Sequence, residues 1–209
     1  MTNDSSGGIL YWPGRGQNPA ELVHSLNVFK RNGYSVEVMP HAYDLGEKPE
    51  KSDSCIYQWA LDRTKAGGNW WIGLSLGASV AHVVASVLPI TSIPNRISLI
   101  NPFANRTRLA QEKNFSLNGQ WLLNPEDYRL HVTSVDLVIS INDERIPGQH
   151  GRSLIPMFDT IKRYVIEIDA DHSITCQSTQ LELSAVLLCD KTKEGVQKDY
   201  AHIVSCNFY

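Results

Sequence analysis

The chain of 209 residues lacks several features that mark whole classes of proteins. No apolar run approaches the length of a membrane span, and a formal charge of −3 offers no strongly basic surface for nucleic acid. The segment 1–8 is polar and small, without a basic stretch or an apolar core, so we expect no secretory signal peptide there. These absences predict a soluble, cytoplasmic protein of ordinary size with no membrane span and no nucleic-acid partner.

Cysteine is scarce and shows neither a metal-binding spacing nor a paired framework. Isolated cysteines are typical of reduced, mostly structural thiols inside cells, and they give no reason to expect a zinc site. Neither a metal nor an organic cofactor is implied by the sequence. The four cysteines, none of them in a C-x-x-C pair, are Cys55, Cys176, Cys189 and Cys206.

The most informative stretch runs from Trp70 to Ser79 and reads WWIGLSLGAS. It predicts a buried strand that turns sharply into a helix, which ends before Pro89. In so tight a turn the side chains two residues either side of Ser75 would collide, and Gly73 and Gly77 remove them. Ser75 would then be strained, with its hydroxyl held clear of the sheet. The alternative is a Gly-rich turn that only packs, in which the serine caps the helix.

Strand-like and helix-like segments alternate along the chain. This pattern predicts an α/β fold, a three-layer α/β/α sandwich with a mostly parallel sheet of about six strands. We expect one domain over 1–209, in which the irregular, polar segment 104–134 forms a small cap insertion over one end of the sheet. The expected strands are 9–12, 34–39, 70–72, 96–100, 136–141 and 164–168, and expected helices include 54–65, 151–163 and 179–188.

The candidate active-site residues each follow a strand, because sites in such sheets lie beyond the carboxyl ends of the strands. A serine nucleophile needs a base, normally a histidine oriented by a carboxylate. His172 alone among seven histidines comes immediately after a predicted strand, although an exposed loop histidine is the alternative. Asp143 is the preferred carboxylate, although a turn aspartate that bonds its own backbone is also common. The rival carboxylates are Glu144, Asp169 and Asp171.

The order serine, aspartate, histidine, each after its own strand, resembles the α/β-hydrolase family. Asp143 and Pro147 match an acid pattern of the form D-x-x-x-P, and residues 171–173 match a D-H-S histidine loop. The resemblance covers roughly Ile9 to Leu188. It implies an α/β-hydrolase-like fold whose sheet is shortened, because the family's usual first two strands are absent.

The resemblance implies a serine hydrolase that cleaves a carboxylic ester or an acyl thioester through an acyl-enzyme. The implied catalytic residues are Ser75, Asp143 and His172. The implied oxyanion hole consists of the backbone N–H groups of Leu76 and Arg15, the latter in a P-G-R-G loop where the family often has H-G-x-G. The implied partner is a small-molecule ester or thioester, either free or attached to a carrier.

Other interpretations of the sequence remain open. They include a non-catalytic hydrolase-like binding domain, an acyltransferase that uses the same triad, and, more distantly, a lyase. Four residues either line the crevice or belong to the core, namely Trp12, Arg15, Phe103 and Trp121. Arg106 and Arg108 either meet an anionic group of the substrate or are solvated surface charges.

Overall fold

The structure is a computed structural model that describes residues 7–14, 17, 23–39, 69–114, 124–159, 162–188 and 200–203. The strands, helices and contacts described are those of this part of the chain. The expected helix over 54–65 lies outside it, as do Arg15 and Trp121.

Within the described residues, the centre of the fold is a sheet of seven strands in the order β2-β1-β3-β4-β6-β8-β9. All neighbouring strands in it are parallel. Two shorter strands, β5 and β7, form a separate parallel pair. The strands are β1 (Gly8–Trp12), β2 (Ser35–Val38), β3 (Trp70–Leu74), β4 (Arg96–Ile100), β5 (Leu130–His131), β6 (Ser134–Ser140), β7 (Phe158–Asp159), β8 (Lys162–Ile168) and β9 (Tyr200–Ile203).

Helices cover both faces of this sheet. One face packs against α1 and α5, and the other packs against α2, α3 and the residues that follow α4. No described helix is both long and apolar enough to cross a membrane. The helices are α1 (Val23–Arg31), α2 (Leu76–Val87), α3 (Arg106–Lys113), α4 (Gly148–Ser153) and α5 (Gln177–Leu188), with 3-10 turns at Ile90–Ser92, Pro125–Asp127 and Ile155–Met157.

Successive residues of the central strands enter different cores, because side chains alternate across a sheet. In β1, Ile9 and Tyr11 pack with α1 and α5, whereas Leu10 and Trp12 pack with α2. All five residues of β3 are buried, as expected of a parallel strand that is covered on both faces. Because the strands of the sheet are parallel, their carboxyl ends lie at one edge, where the loops that carry the candidate residues leave the sheet.

The predicted three-layer α/β/α architecture is confirmed. The sheet has one strand more than the six expected, because β9 in the C-terminal tail pairs with β8. The helix expected over 151–163 is wrong in extent. Only Gly148–Ser153 is α-helical, and Lys162 already belongs to β8.

The segment 104–134 contains α3, the 3-10 turn at Pro125–Asp127 and β5. It leaves the carboxyl end of β4, and Leu109 and Ala110 of α3 are buried. The backbone N–H of Glu126 donates to the carbonyl of Ala104, so the 3-10 turn contacts the beginning of the segment. That this segment acts as a cap stays a prediction.

Candidate active site

Ser75 occupies the turn between β3 and α2. Its backbone has φ 54° and ψ −121°, a conformation that side-chain-bearing residues rarely adopt. Its neighbours in the chain are buried, but Ser75 itself is partly exposed. Leu76 is the first residue of α2, and the first N–H groups of a helix have no partner within that helix. The turn thus presents a hydroxyl and a helix N-terminus at the same edge of the sheet.

The two glycines that flank Ser75 permit different close contacts. A Cβ on Gly73 would lie 2.6 Å from Cα of Ala78, so this glycine relieves a collision within the turn, as predicted. A Cβ on Gly77 would lie 2.2 Å from the carbonyl oxygen of Trp12. Gly77 therefore allows the start of α2 to approach the loop that follows β1, a contact that local spacing does not reveal.

The loop after β1 lies directly beside Ser75. A Cβ on Gly14 would be 3.3 Å from Cβ of Ser75. The side chain of Gln17 closes this loop, because its Oε1 accepts hydrogen bonds from the Gly14 N–H (3.0 Å) and the Tyr11 hydroxyl (2.8 Å). Arg15, predicted to supply a second oxyanion donor, lies between these described residues but outside the described part of the chain.

Ser75, His172 and Asp143 form a continuous hydrogen-bonded chain. Asp143 Oδ2 lies 2.6 Å from Nδ1 of His172, and Nε2 of His172 lies 2.8 Å from Oγ of Ser75. A carboxylate only accepts hydrogen bonds, so Nδ1 carries the proton and Nε2 accepts from the serine hydroxyl. The side chain of Asp143 is 1 % exposed and that of His172 is 11 % exposed. The chain of bonds thus runs from a buried carboxylate to a partly exposed hydroxyl.

Asp143 has both of the interactions that the sequence suggested for it. Its Oδ1 accepts from the backbone N–H groups of Arg145 (2.8 Å) and Ile146 (2.7 Å), which is the turn interaction. Its Oδ2 remains available for His172. The turn bonds therefore fix the orientation of the carboxylate toward the ring.

The three rival carboxylates have other surroundings. Asp169 accepts a hydrogen bond from the side chain of Asn142, and Asp171 accepts from the backbone and hydroxyl of Thr175. Glu144 is exposed. Of the four candidates, Asp143 is the carboxylate that binds His172.

The side chain of Asn101 supports this edge of the sheet, a role that the sequence reasoning missed. Asn101 comes directly after β4, is 4 % exposed and has φ 48°. Its side-chain amide donates to the backbone carbonyl of His172 and to the hydroxyl of Ser140, both at 2.9 Å. The available signal was a polar residue at the carboxyl end of a central strand, in the position that Ser75 has after β3.

The sequence left two roles open for each of four residues, namely Trp12, Phe103, Arg106 and Arg108. Trp12 and Phe103 are buried in the core, with exposures of 0 % and 2 %. The guanidinium of Arg106 lies 5.8 Å from the ring centre of Phe103. Arg108 donates to Ser153 (3.0 Å) and lies near two glutamates of its own segment. Of the two roles that the sequence left open for Trp12 and Phe103, the structure shows the core position.

Arg108 belongs to a polar cluster that joins α3 to α4, the helix after the Asp143 turn. Its Nη2 lies 3.4 Å from Nδ1 of His150, and Nε2 of His150 lies 3.0 Å from Oε2 of Glu112. Burial lowers the pKa of His150, and so does the positive charge of Arg108. The hydrogen bond with Glu112 raises the pKa but does not outweigh them. A neutral His150 that donates from Nε2 and accepts at Nδ1 satisfies both neighbours.

Cys176, four residues after His172, is a free and exposed thiol. Hydrogen bonds with Ser178 and Thr179 lower its pKa to about 7. Within the described residues, no group of three or more His, Cys, Asp or Glu side chains is placed to hold a metal ion.

Many solved structures have a similar fold. The esterase domain of a Rhodothermus marinus protein has a TM-score of 0.65 at 16% identity, covering 90% of this chain and 88% of its own. Mouse alpha/beta hydrolase domain-containing protein 10 has a TM-score of 0.67 at 14% identity, with coverages of 90% and 95%. The enol-lactonase from Burkholderia xenovorans LB400 has a TM-score of 0.65 at 12% identity, with coverages of 90% and 92%.

The chain therefore has the α/β-hydrolase fold, which confirms the resemblance found in the sequence. The similarity extends over nearly the full length of both chains in each comparison. No protein-family model matches the sequence, and no curated protein matches it.

Proposed function

We propose that the protein is a serine hydrolase that cleaves a carboxylic ester or an acyl thioester through an acyl-enzyme on Ser75. The single observation that carries this proposal is the hydrogen-bonded chain from Asp143 through His172 to Ser75. Such a chain activates a weak nucleophile, because the base is already within hydrogen-bond distance of the proton it removes.

In the first half of the reaction, Oγ of Ser75 attacks the substrate carbonyl carbon while Nε2 of His172 takes the hydroxyl proton. Asp143 keeps the proton of the neutral ring on Nδ1 and stabilises the imidazolium that forms. The tetrahedral intermediate then collapses, His172 gives the proton to the leaving alcohol or thiol, and the acyl group stays on Ser75. The 2.8 Å separation of Oγ and Nε2 supports this transfer.

In the second half, a water molecule attacks the acyl carbon and gives a proton to Nε2 of His172. The carboxylic acid leaves, and Oγ of Ser75 takes its proton back. An acyltransferase would differ only in using another acceptor in place of water. Our proposal is hydrolysis, with transfer as an outcome that a test with added alcohols or amines would reveal.

The oxyanion of both tetrahedral intermediates needs donors that are already in place, and the loss of one such donor typically costs about 3 kcal/mol. The backbone N–H of Leu76, at the start of α2, is the first donor in this proposal. The backbone N–H of Arg15 is the second. The position of Gly14 beside Ser75, and its bond to Gln17, support a donor from this loop.

The substrate in this proposal is a small-molecule ester or thioester, either free or attached to a carrier. Among the similar structures are an esterase domain and an enol-lactonase. The segment 104–134 would form the cap that covers the acyl group, since α3 lies next to the helix that follows the Asp143 turn.

A fluorophosphonate probe tests the nucleophile and separates an enzyme from a non-catalytic binding domain. We expect the probe to label the wild-type protein at Ser75 and to leave Ser75→Ala unlabelled. Ser86→Ala is the matched control, because it removes a serine from the far end of the same helix, where the hydroxyl binds the His82 carbonyl. A folded wild-type protein that takes up no probe would contradict the proposal.

A panel of p-nitrophenyl esters and acyl thioesters of graded chain length then defines the substrate class. We expect an initial burst of the leaving group, because the acyl-enzyme accumulates when its hydrolysis is slower than its formation. Turnover by Ser75→Ala equal to that of the wild type would exclude the mechanism.

A further inference from the structure

We propose that Asn101 is a positioning residue, which holds the backbone of His172 so that its ring stays between Ser75 and Asp143. This inference rests on the proposed function, because it concerns how the base is kept in place. Asn101 does not itself reach the reacting atoms in this proposal. It acts from beneath the edge of the sheet, through the carbonyl of His172.

The backbone at Asn101 favours asparagine over most other residues. Its φ of 48° lies in the left-handed region, which asparagine and glycine adopt more readily than residues with larger or branched side chains. Its N–H donates to the carbonyl of Val138 in the neighbouring strand β6 (2.9 Å). The residue is thus tied to the sheet, and its side chain leaves the end of β4 with a fixed direction.

The amide of Asn101 uses both of its N–H groups and its oxygen. Nδ2 donates to Oγ of Ser140 and to the carbonyl of His172, both at 2.9 Å, and Oδ1 accepts from the Ser140 N–H at 2.8 Å. The preceding residue, Ile100, accepts from the backbone N–H of Ser75 at 2.8 Å. Two adjacent residues at the end of β4 therefore contact the segments of the serine, of the aspartate and of the histidine.

The loop that carries His172 is strained and needs such support. Ile174, two residues further on, has φ 50° and is 3 % exposed, an unusual conformation for a β-branched residue. Strain of this kind persists only where surrounding contacts fix the backbone. The carbonyl of Ile174 accepts from Nε2 of Gln180 (3.0 Å), and the carbonyl of His172 accepts from Asn101. Without the second bond, the loop has freedom to relax and to move the ring away from Ser75.

The variant Asn101→Gly tests this inference, because glycine keeps the positive φ and removes the side chain. We expect kcat for a p-nitrophenyl ester to fall about tenfold to a hundredfold, the size of effect that follows from a misplacement of about 1 Å. We expect KM to stay within a factor of about two, because Asn101 is buried under the site and does not touch substrate.

Two control variants separate positioning from other effects. Asn32→Gly makes the same substitution at an exposed asparagine directly after α1, whose side-chain amide donates to the carbonyl of Val28, and should leave kcat unchanged. Ser140→Ala removes one partner of Asn101 but keeps the bond to His172, so it should lower kcat much less than Asn101→Gly. A decrease in Ser140→Ala equal to that in Asn101→Gly would overturn the proposal, because loss of packing at the strand end would then explain both.

A spectroscopic readout tests the same point without substrate. The proton between Nδ1 of His172 and Asp143 should give a low-field resonance in the proton NMR spectrum of the wild type. We expect this resonance to broaden or disappear in Asn101→Gly and to persist in Ser140→Ala and Asn32→Gly. A sharp, unchanged resonance in Asn101→Gly contradicts the positioning role, whatever the measured kcat of that variant.

Failure of the proposed function and failure of the positioning role give different results. A wild type that is neither labelled nor active refutes the proposed function, whereas the resonance still reports whether Asn101 holds His172. If Asn101→Gly does not fold, Asn101→Asp decides the matter. It keeps the volume and the acceptor for the Ser140 N–H, but places an oxygen against the His172 carbonyl. We expect it to lose the resonance and most of kcat, and retention of both refutes the positioning role.

Discussion

Two buried aspartates lie at opposite ends of the parallel strands. One lies near the amino ends of the strands, here called the amino edge, and the other lies beyond their carboxyl ends, here called the carboxyl edge. The surroundings of the two acids differ. At the amino edge, Asp136 is fully buried and accepts from the hydroxyl of Ser98 (2.7 Å) and from Nε of Arg96 (2.8 Å). Arg96 also lies 4.1 Å from the ring centre of Trp70 and donates to the carbonyl of Leu187 (2.7 Å). This network joins two strands to a helix, and its carboxylate is enclosed by the protein.

At the carboxyl edge, Asp143 binds His172, and the chain of bonds ends at the partly exposed hydroxyl of Ser75. Three of the four described non-glycine residues with positive φ lie at this edge, namely Ser75, Asn101 and Ile174. A buried, hydrogen-bonded carboxylate is thus no sign of a site by itself. The distinguishing features are a bond chain that ends at an accessible nucleophile and a backbone that holds it under strain.

The largest expected effect is at the carboxyl edge, from Asp143→Asn. The amide keeps the acceptor for the turn N–H groups of Arg145 and Ile146 but presents an N–H to Nδ1 of His172. The ring must then carry its proton on Nε2, where it cannot accept the Ser75 proton. We expect kcat to fall about 10⁴-fold with little change in Tm. Activity within tenfold of the wild type would contradict the assigned role of Asp143.

A second test concerns the close packing at that same edge. In Gly77→Ala the new methyl group would lie 2.2 Å from a main-chain oxygen of Trp12, so α2 and the loop after β1 must separate. We expect a loss of about 3 kcal/mol or more in the free energy of unfolding, measured by urea denaturation. Activity should be lost as well, because Ser75 and the loop move apart.

Gly151→Ala is the matched control for this prediction. Its methyl group would meet side-chain atoms of Ile139 and Leu137, the nearest at 3.1 Å, which have freedom to shift. Because alanine also favours the helix, by about 1 kcal/mol, the net change in stability should be small. Similar losses in the two variants would show that backbone crowding is not the cause.

The third test concerns the amino edge, where we expect a loss of stability with little change in kcat. Asp136→Asn removes the charge that faces Arg96, whose side chain is 24 % exposed. Removal of one member of a buried pair typically costs about 3–5 kcal/mol, and the partial exposure of Arg96 places this case at the lower end of that range. We expect kcat of the protein that remains folded to stay within about twofold. A large loss of kcat at unchanged stability would mean that the two edges are coupled.

Much of the carboxyl edge could be predicted from the sequence, because its residues obey local rules. The glycines around Ser75 mark a sharp turn, and the strands before Asp143 and His172 are apolar runs that end in polar loops. A parallel sheet brings such loops to one edge. Pattern therefore predicts the order and the edge, whereas the choice of Asp143 among four carboxylates depends on its contact with His172 in the structure.

The remaining features depend on contacts between distant segments. Asn101 supports His172 across 71 residues, and the close contact of Gly77 is with the loop after β1. The helix expected over 151–163 failed because Lys162 and Arg163 resemble the basic end of a helix, whereas they form the exposed start of β8. Strand β9 carries no local signal, since only its pairing with β8 identifies it.

The smallest expected effect concerns a histidine away from either edge and sharpens the contrast with His172. His82 is fully buried in α2, its Nε2 donates to the Tyr128 carbonyl (2.9 Å), and burial lowers its pKa to about 4. Because the unfolded chain binds a proton below about pH 6.5 and the folded protein does not, the free energy of unfolding falls as the pH falls from about 6.5 to about 4. The loss in the free energy of unfolding that His82 causes reaches about 2 kcal/mol at pH 5.

We expect His82→Gln to reduce this acid-side loss of stability and to leave kcat at neutral pH unchanged, as urea denaturation at several pH values would measure. Part of the loss should remain, because burial lowers the pKa of His150 as well. His131→Gln, which removes an exposed histidine beside Asp159, should keep the wild-type profile. An unaltered profile in His82→Gln would contradict the prediction. If the prediction holds, a histidine enclosed by the core affects stability alone. His172, whose bond chain reaches solvent, affects the rate instead.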